Sequence, residues 1–284
     1  MTAPSSTTHT VSTPYGEVAV HLSGRAPGHA PGLLLLHANP GDHRDFDLLA
    51  EALRPDWAIA AVDWPGYGAS TVTDPASIDV EALGLIAESV VESLRANGFH
   101  SFTVIGNSVG GYAAVRLAQR AAAHIRGLVL VQPAGFVPRN VLTRAVFRMM
   151  SAPAVARLAV VPCARMYLGS ARAAGVRPIL DRARRVTGDP ARFTVYRRLW
   201  RSLDDPRADL PAAGPLLAQT PTLVVWGRRD PVNPWLLSRR GVARALPGAE
   251  VAVLAARHEP FAEKPRLFAD SVRGFLAARA ELSS

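Results

Sequence analysis

Residues 102–120, FTVIGNSVGGYAAVRLAQR, constrain the fold more than any other part of this 284-residue chain. Phe102, Val104 and Ile105 read as a short buried strand. Residues 113–119 read as helix, rich in alanine and leucine with no interior proline or glycine. Between the two, the backbone must reverse within about three residues, which would hold Ser108 in a strained conformation. Gly106 and Gly110 keep side chains away from such a turn, and Gly111 lets the helix lie close to the sheet. The pattern is G-x-S-x-G, a serine raised at a strand-to-helix corner. A corner of this kind needs partners elsewhere in the chain.

The rest of the chain supplies the setting. Strand-like runs fall at 18–22, 33–37, 59–63, 102–105, 127–131, 222–226 and 250–254. Helix-like runs alternate with them at 45–53, 80–96, 109–122, 235–246 and 265–278. Continuous apolar strands alternating with helices predict an α/β fold, a mostly parallel sheet with helices on both faces. Reactive groups in such sheets sit in loops at the carboxyl ends of the strands. The alternation breaks between about 134 and 217, a helix-rich, arginine-rich stretch punctuated by prolines. So long a segment without structure of its own would be anomalous. It reads as a helical lid over the carboxyl edge of the sheet. The expected organisation is therefore a core of 1–133, a helical cap of 134–217 and the rest of the core at 218–284. Residues 1–14 read as a flexible tail.

Hydrolysis by a serine needs a base for its proton, an acid to orient that base, and donors for the oxyanion. An acid and a histidine in later strand-end loops of the same sheet would reach a serine on such a corner. Asp230 follows the strand TLVVWG directly, in WGRRDPVNP, and His258 follows EVAVLA, in ARHEPFAEKP. Ser108, Asp230 and His258 thus stand on one sheet edge, in the chain order serine, acid, histidine. The backbone N–H of Val109 is one expected oxyanion donor. The other is the N–H of Asn39 in HANPGDHRDF, with Pro40-Gly41 fixing the turn behind it. Glu259 adjoins His258 but would have to reach back along its own backbone, so Asp230 is the preferred orienter. His37 is expected to brace the oxyanion loop, Asp63 to shape a turn, and His43 ranks low as a residue of the mouth. Trp64, Tyr67, Phe136 and Phe261 fit either core or pocket wall.

HANPG, DWPGYGAS, GNSVGG, WGRRDP and HEPFAEKP together make the chain resemble the α/β-hydrolase superfamily over roughly residues 18–278, in the branch with a helical cap after the sixth strand. Ala38 stands where the family usually has glycine, and Arg257 where a glycine commonly precedes the catalytic histidine. The resemblance implies hydrolysis of a carboxylic ester, lactone or thioester through an acyl-serine intermediate, without a cofactor or metal. Dehalogenases and epoxide hydrolases of this superfamily attack with aspartate, whereas position 108 is serine. The alternatives are a carbon–carbon bond hydrolase of the meta-cleavage type, whose GNSMGG resembles GNSVGG, and a cofactor-free perhydrolase. A non-catalytic binding protein of the same fold would have no need of all three triad residues.

Composition narrows the setting. At 49% hydrophobic and 19% charged the chain is globular. The lone cysteine, Cys163, excludes an internal disulfide and a cysteine-rich metal site, and reads as an apolar filler. GLLLLHA is far too short to cross a bilayer, and the N-terminal stretch lacks the pattern of a secretory signal. A cytoplasmic protein with a small-molecule substrate and no stable membrane insertion is expected; no feature fixes its oligomeric state. The charge is local: residues 139–207 carry fifteen arginines against four aspartates, an excess of eleven, while the whole chain is +9. One reading is a solvated surface over the lid core. The other is a field that draws an anionic ligand, and nucleic acid is disfavoured because no recognition motif accompanies the charge.

Overall fold

The computed structural model describes residues 7–280 apart from Pro215 and Ala218. The strands are β1 (Thr7–Thr13), β2 (Gly16–Gly24), β3 (Gly32–Leu36), β4 (Ala58–Val62), β5 (Phe102–Asn107), β6 (Ile125–Val131), β7 (Thr222–Gly227) and β8 (Glu250–Leu254). They form one eight-stranded sheet in the order β1-β2-β4-β3-β5-β6-β7-β8. β2 pairs antiparallel with both β1 and β4, and the remaining pairs are parallel. All five residues of β3 are buried, as expected of a central strand covered on both faces.

The helices are α1 (Asp47–Leu53), α2 (Val80–Ala96), α3 (Val109–Arg120), α4 (Val141–Ser151), α5 (Pro153–Leu168), α6 (Val176–Arg185), α7 (Pro190–Ser202), α8 (Trp235–Ala245), α9 (Pro260–Glu263) and α10 (Pro265–Ala280). Alternation along each strand divides the core. Leu34 and Leu36 face the layer holding α2 and α3, together with Val104, Leu130 and Val224. Leu33 and Leu35 face the layer holding α10, against Phe268 and Val272. A strand with four successive leucines serves two cores at once.

The stretch expected to be a tail contains a strand. β1 pairs with β2 in full register, from Thr7 opposite Leu22 to Thr13 opposite Gly16. TTHTVST is rich in β-branched residues, and Thr13 Oγ1 donates to the Gly16 carbonyl at 2.8 Å to tie the hairpin. Its polar face hid it from a reading based on apolar runs. Counted with β1, the Ile125–Val131 strand is the sixth, and α4 to α7 follow it before β7.

These four helices are attached to the sheet domain unevenly. Ala164, Tyr167 and Leu168 of α5 and Val176, Ile179 and Leu180 of α6 belong to the same apolar cluster as β3 and α10. A smaller cluster of Ala156, Val160, Val186, Phe193 and Tyr196 lies within the helical segment itself.

Candidate active site

Ser108 joins β5 to α3 with φ 54° and ψ −116°. A non-glycine residue there costs on the order of 1–3 kcal/mol and persists only where its surroundings impose it. Here the Ser108 N–H donates to the Val131 carbonyl at 3.0 Å, and the Ser108 carbonyl accepts from Tyr112 N at 3.0 Å and Ala134 N at 2.9 Å. A Cβ on Gly106 would collide with the Gly110 carbonyl, and one on Gly110 with the Leu36 carbonyl. The turn closes only with glycine at both places.

Two of the expected triad residues meet directly. His258 Nδ1 lies 2.6 Å from Asp230 Oδ2, and both side chains are buried. The other oxygen of Asp230 accepts from Val232 N at 2.8 Å and Asn233 N at 3.1 Å, which fixes the orientation of the carboxylate. With Nδ1–H directed at the carboxylate, Nε2 carries the lone pair. Ser108 and His258 line the same cavity, but no hydrogen bond joins their side chains among the described residues. Looser nucleophile–base contacts are common without substrate.

Asn39 and Val109 line that cavity too. Val109 opens α3, where its N–H has no carbonyl partner within the helix. The Asn39 side chain is held away: Tyr67 Oη donates to its Oδ1 at 2.6 Å, and its Nδ2 donates to the Tyr196 carbonyl of α7 at 3.1 Å. Its amide therefore ties the loop after β3 to the helical segment. His37 braces the loop as expected. Its Nδ1 bonds the Ala38 carbonyl at 2.7 Å and its Nε2 accepts from Trp64 N at 3.0 Å. Complete burial pushes its pKa down to about 4, so it is neutral at pH 7.

The cavity walls are Val137, Phe147, Tyr167, Leu199, Trp200 and Val232, with Arg139 and Asp209 as its charged members. Trp64, Tyr67, Phe136 and Phe261 are buried core residues instead. His43 does not line it. His43 Nδ1 and His21 Nε2 each lie 2.9 Å from one oxygen of Asp63, and their rings stack at 3.4 Å. Asp63 also accepts from the N–H groups of His43 and Ala69, at 2.8 Å each. Burial would raise its pKa, but the histidine hydrogen bonds outweigh that and hold it well below the usual carboxylate range. Its role extends beyond the turn: it joins β2, the loop after β3 and the DWPGYG loop.

It is Asp230, and not Glu259, that meets His258 Nδ1. The Glu259 carboxyl is buried and makes no hydrogen bond among the described residues. Burial, with the Asp45 charge adding to it against Arg182, pushes its pKa well above the ordinary value. Three amide side chains escaped the sequence reading. Asn107 Nδ2 donates to the carbonyls of Val131 and His258 at 3.0 and 3.1 Å. Gln132 Nε2 donates to the Arg257 carbonyl at 2.7 Å, and Asn233 Nδ2 to the carbonyls of Gln132 and Pro133 at 3.2 and 2.9 Å. They lace together the loops that carry Ser108, Asp230 and His258. Asn107 and Asn233 lie inside the quoted motifs GNSVGG and WGRRDPVNP, and that position was the available signal.

Residues 33–271 match the model of the alpha/beta hydrolase family. The chain belongs to that family. Its fold is similar to that of a thermophilic esterase from Thermogutta terrifontis, with TM-score 0.74 and 21% identity over 97% of this chain and 99% of that one. It is equally similar to an enol-lactonase from Burkholderia xenovorans LB400, with TM-score 0.74 and 22% identity over 95% and 100% of the two chains. At such identities the likeness is one of fold. In sequence, it is 32% identical over 113 residues to the "Probable 1-acylglycerol-3-phosphate O-acyltransferase" of Oryza sativa subsp. japonica. That match takes in 38% of this chain and about a quarter (26%) of the rice protein.

Proposed function

We propose that this family member hydrolyses carboxylic esters, lactones or thioesters through an acyl-serine intermediate on Ser108. The observation that carries the reading is the site's composition: a serine on a strained corner faces the same apolar cavity as a histidine locked to a buried aspartate. His258 Nε2 takes the Ser108 proton as Oγ attacks the acyl carbonyl, and Asp230 stabilises the imidazolium that forms. The N–H groups of Val109 and Asn39 hold the tetrahedral oxyanion. The intermediate collapses, His258 protonates the departing alcohol or thiol, and a water activated by the same imidazole releases the acid. Esterase and lactonase names among the structural neighbours support this class.

Carbon–carbon cleavage of an acidic substrate would call for a free cation in the cavity. Arg139 is there, but its Nε and one Nη already donate to the Asp204 carbonyl at 3.1 and 2.8 Å. Ester hydrolysis makes no such demand. A fluorophosphonate probe is expected to label the protein at Ser108 and to leave the Ser108→Ala protein unlabelled. Equal labelling of the two would end the serine-hydrolase reading.

A further inference from the structure

The outer face of the helical segment carries an unusual surface. Of the twelve large hydrophobic side chains that the described residues expose, seven lie on α4 and α5. Val141, Leu142 and Leu158 are 85%, 73% and 79% exposed. On α4, the spacing of Leu142, Val146 and Met149 places them on one helical face, while Met150 is buried and Phe147 lines the catalytic cavity. Apolar residues scattered singly need no explanation, but seven exposed on two consecutive helices are a concentration that points to an interaction surface.

Its charge says what kind. α4 and α5 meet at a bend of 98°, and the groove there is lined by Ser151, Ala152 and Pro153 on one side and Arg197, Arg198 and Arg201 of α7 on the other. Arg197 donates through Nε to the Ser151 carbonyl at 2.8 Å. The side chains of Arg198 and Arg201 are exposed and make no hydrogen bond or ion pair among the described residues. A second copy of the chain is a poor occupant, because a symmetric contact would bring two arginine grooves together. Neither helix is long and apolar enough to cross a bilayer alone, and the sharp bend suits a position along an interface.

We propose that the α4–α5 elbow docks peripherally on an anionic phospholipid surface. Leu142, Met149 and Leu158 enter the acyl boundary, and Arg198 and Arg201 meet the headgroup phosphates. The inner side of α4 reaches the catalytic cavity through Phe147, so the docked face and the cavity share one helix.

The test is co-sedimentation of the full chain with vesicles of phosphatidylcholine, alone or mixed with phosphatidylglycerol. It is made on the Ser108→Ala protein, so that its outcome is independent of the ester reading. The protein is expected to pellet with the mixed vesicles, to remain in solution with phosphatidylcholine alone, and to be released by salt. Arg198→Glu/Arg201→Glu and Leu142→Asp/Leu158→Asp should each lower the partition coefficient about tenfold or more, with melting temperatures like the parent's. No partition of the parent into mixed vesicles overturns the proposal, whatever the variants do. Partition insensitive to either pair also overturns it. So does a concentration-dependent dimer in sedimentation velocity that Leu142→Asp/Leu158→Asp abolishes, since that assigns the face to a second copy.

Discussion

The floor of the site and the helices above it are held by different forces. In the floor, buried neutral amides of Asn107, Gln132 and Asn233 bond to backbone carbonyls across the strand-end loops. Above it, Arg144 and Arg148 of α4 reach Asp204 at 2.8 and 2.6 Å, with side chains 38% and 51% exposed. Hydrogen bonds between buried neutral groups are insensitive to salt, and breaking one leaves a desolvated carbonyl behind. Asp204 itself is buried, but ion pairs whose arginines stay half-exposed are screened, and each contributes little. Geometry that must be kept to fractions of an ångström is built from the first kind, and a surface facing the surroundings from the second.

The largest effect should come from the floor's ionisable pair. His258→Ala is expected to cut turnover of a simple p-nitrophenyl ester by about 10⁴ or more, because the triad acts as a unit. Asp230→Asn keeps the shape but presents an amide donor where only an acceptor serves, favouring the wrong tautomer of His258. By analogy with other triads its loss is roughly 10³ to 10⁴. Near-full activity of Asp230→Asn would break the comparison at its root. Some other group would then orient the base, and the buried carboxyl of Glu259 would be the first to replace.

A pair of substitutions of intermediate effect compares the two regions directly. Asn107→Ala strips a donor from two buried carbonyls, and the expected loss in urea unfolding is about 2–3 kcal/mol. Asp204→Asn removes a charge shared by two half-exposed arginines, and about 1 kcal/mol or less is expected. Repeating the melts in high salt should leave the Asn107→Ala difference unchanged and shrink that of Asp204→Asn. The opposite ranking would mean that the arginine cluster, rather than the amide lacing, anchors the site.

This division also explains what could be read from the sequence. Ser108, Asp230 and His258 could be picked out as candidates because each sits in a local pattern at a strand end, and their order needs no knowledge of packing. The amide lacing was not, because Asn107 contacts His258 across 151 residues and Asn233 contacts Pro133 across 100. β1 was missed for another reason: its exposed positions alternate with half-buried or buried ones of which only Val11 is apolar, so an edge strand looked like a tail. The arginines were counted correctly, yet the count overstated the free charge. Arg144 and Arg148 serve Asp204, Arg182 reaches Asp42 and Asp45, and Arg184 pairs with Asp181. Charge patterning names the cations, and only tertiary structure assigns their partners.

The smallest expected effect sharpens that last point. If the remaining exposed cations steer substrates, kcat/KM for an anionic ester should fall as salt rises and the Debye length shrinks from about 30 to about 8 Å. Arg165, Arg172, Arg177, Arg198 and Arg201 are exposed and unpaired among the described residues, so the field that survives pairing is weaker than fifteen arginines suggest. A decrease of about two- to fivefold is expected for the anionic ester, and little change for a neutral ester of the same size. Arg184→Glu/Arg185→Glu should weaken only the anionic substrate. Arg184 already neutralises Asp181, so reversing it also frees that carboxylate, and the double variant should lower kcat/KM more than salt alone. Because the effect acts on encounter, it should appear in kcat/KM and leave kcat unchanged. Identical salt profiles for the two esters would remove steering altogether, leaving these arginines to solubility and to the docking face on α4 and α5.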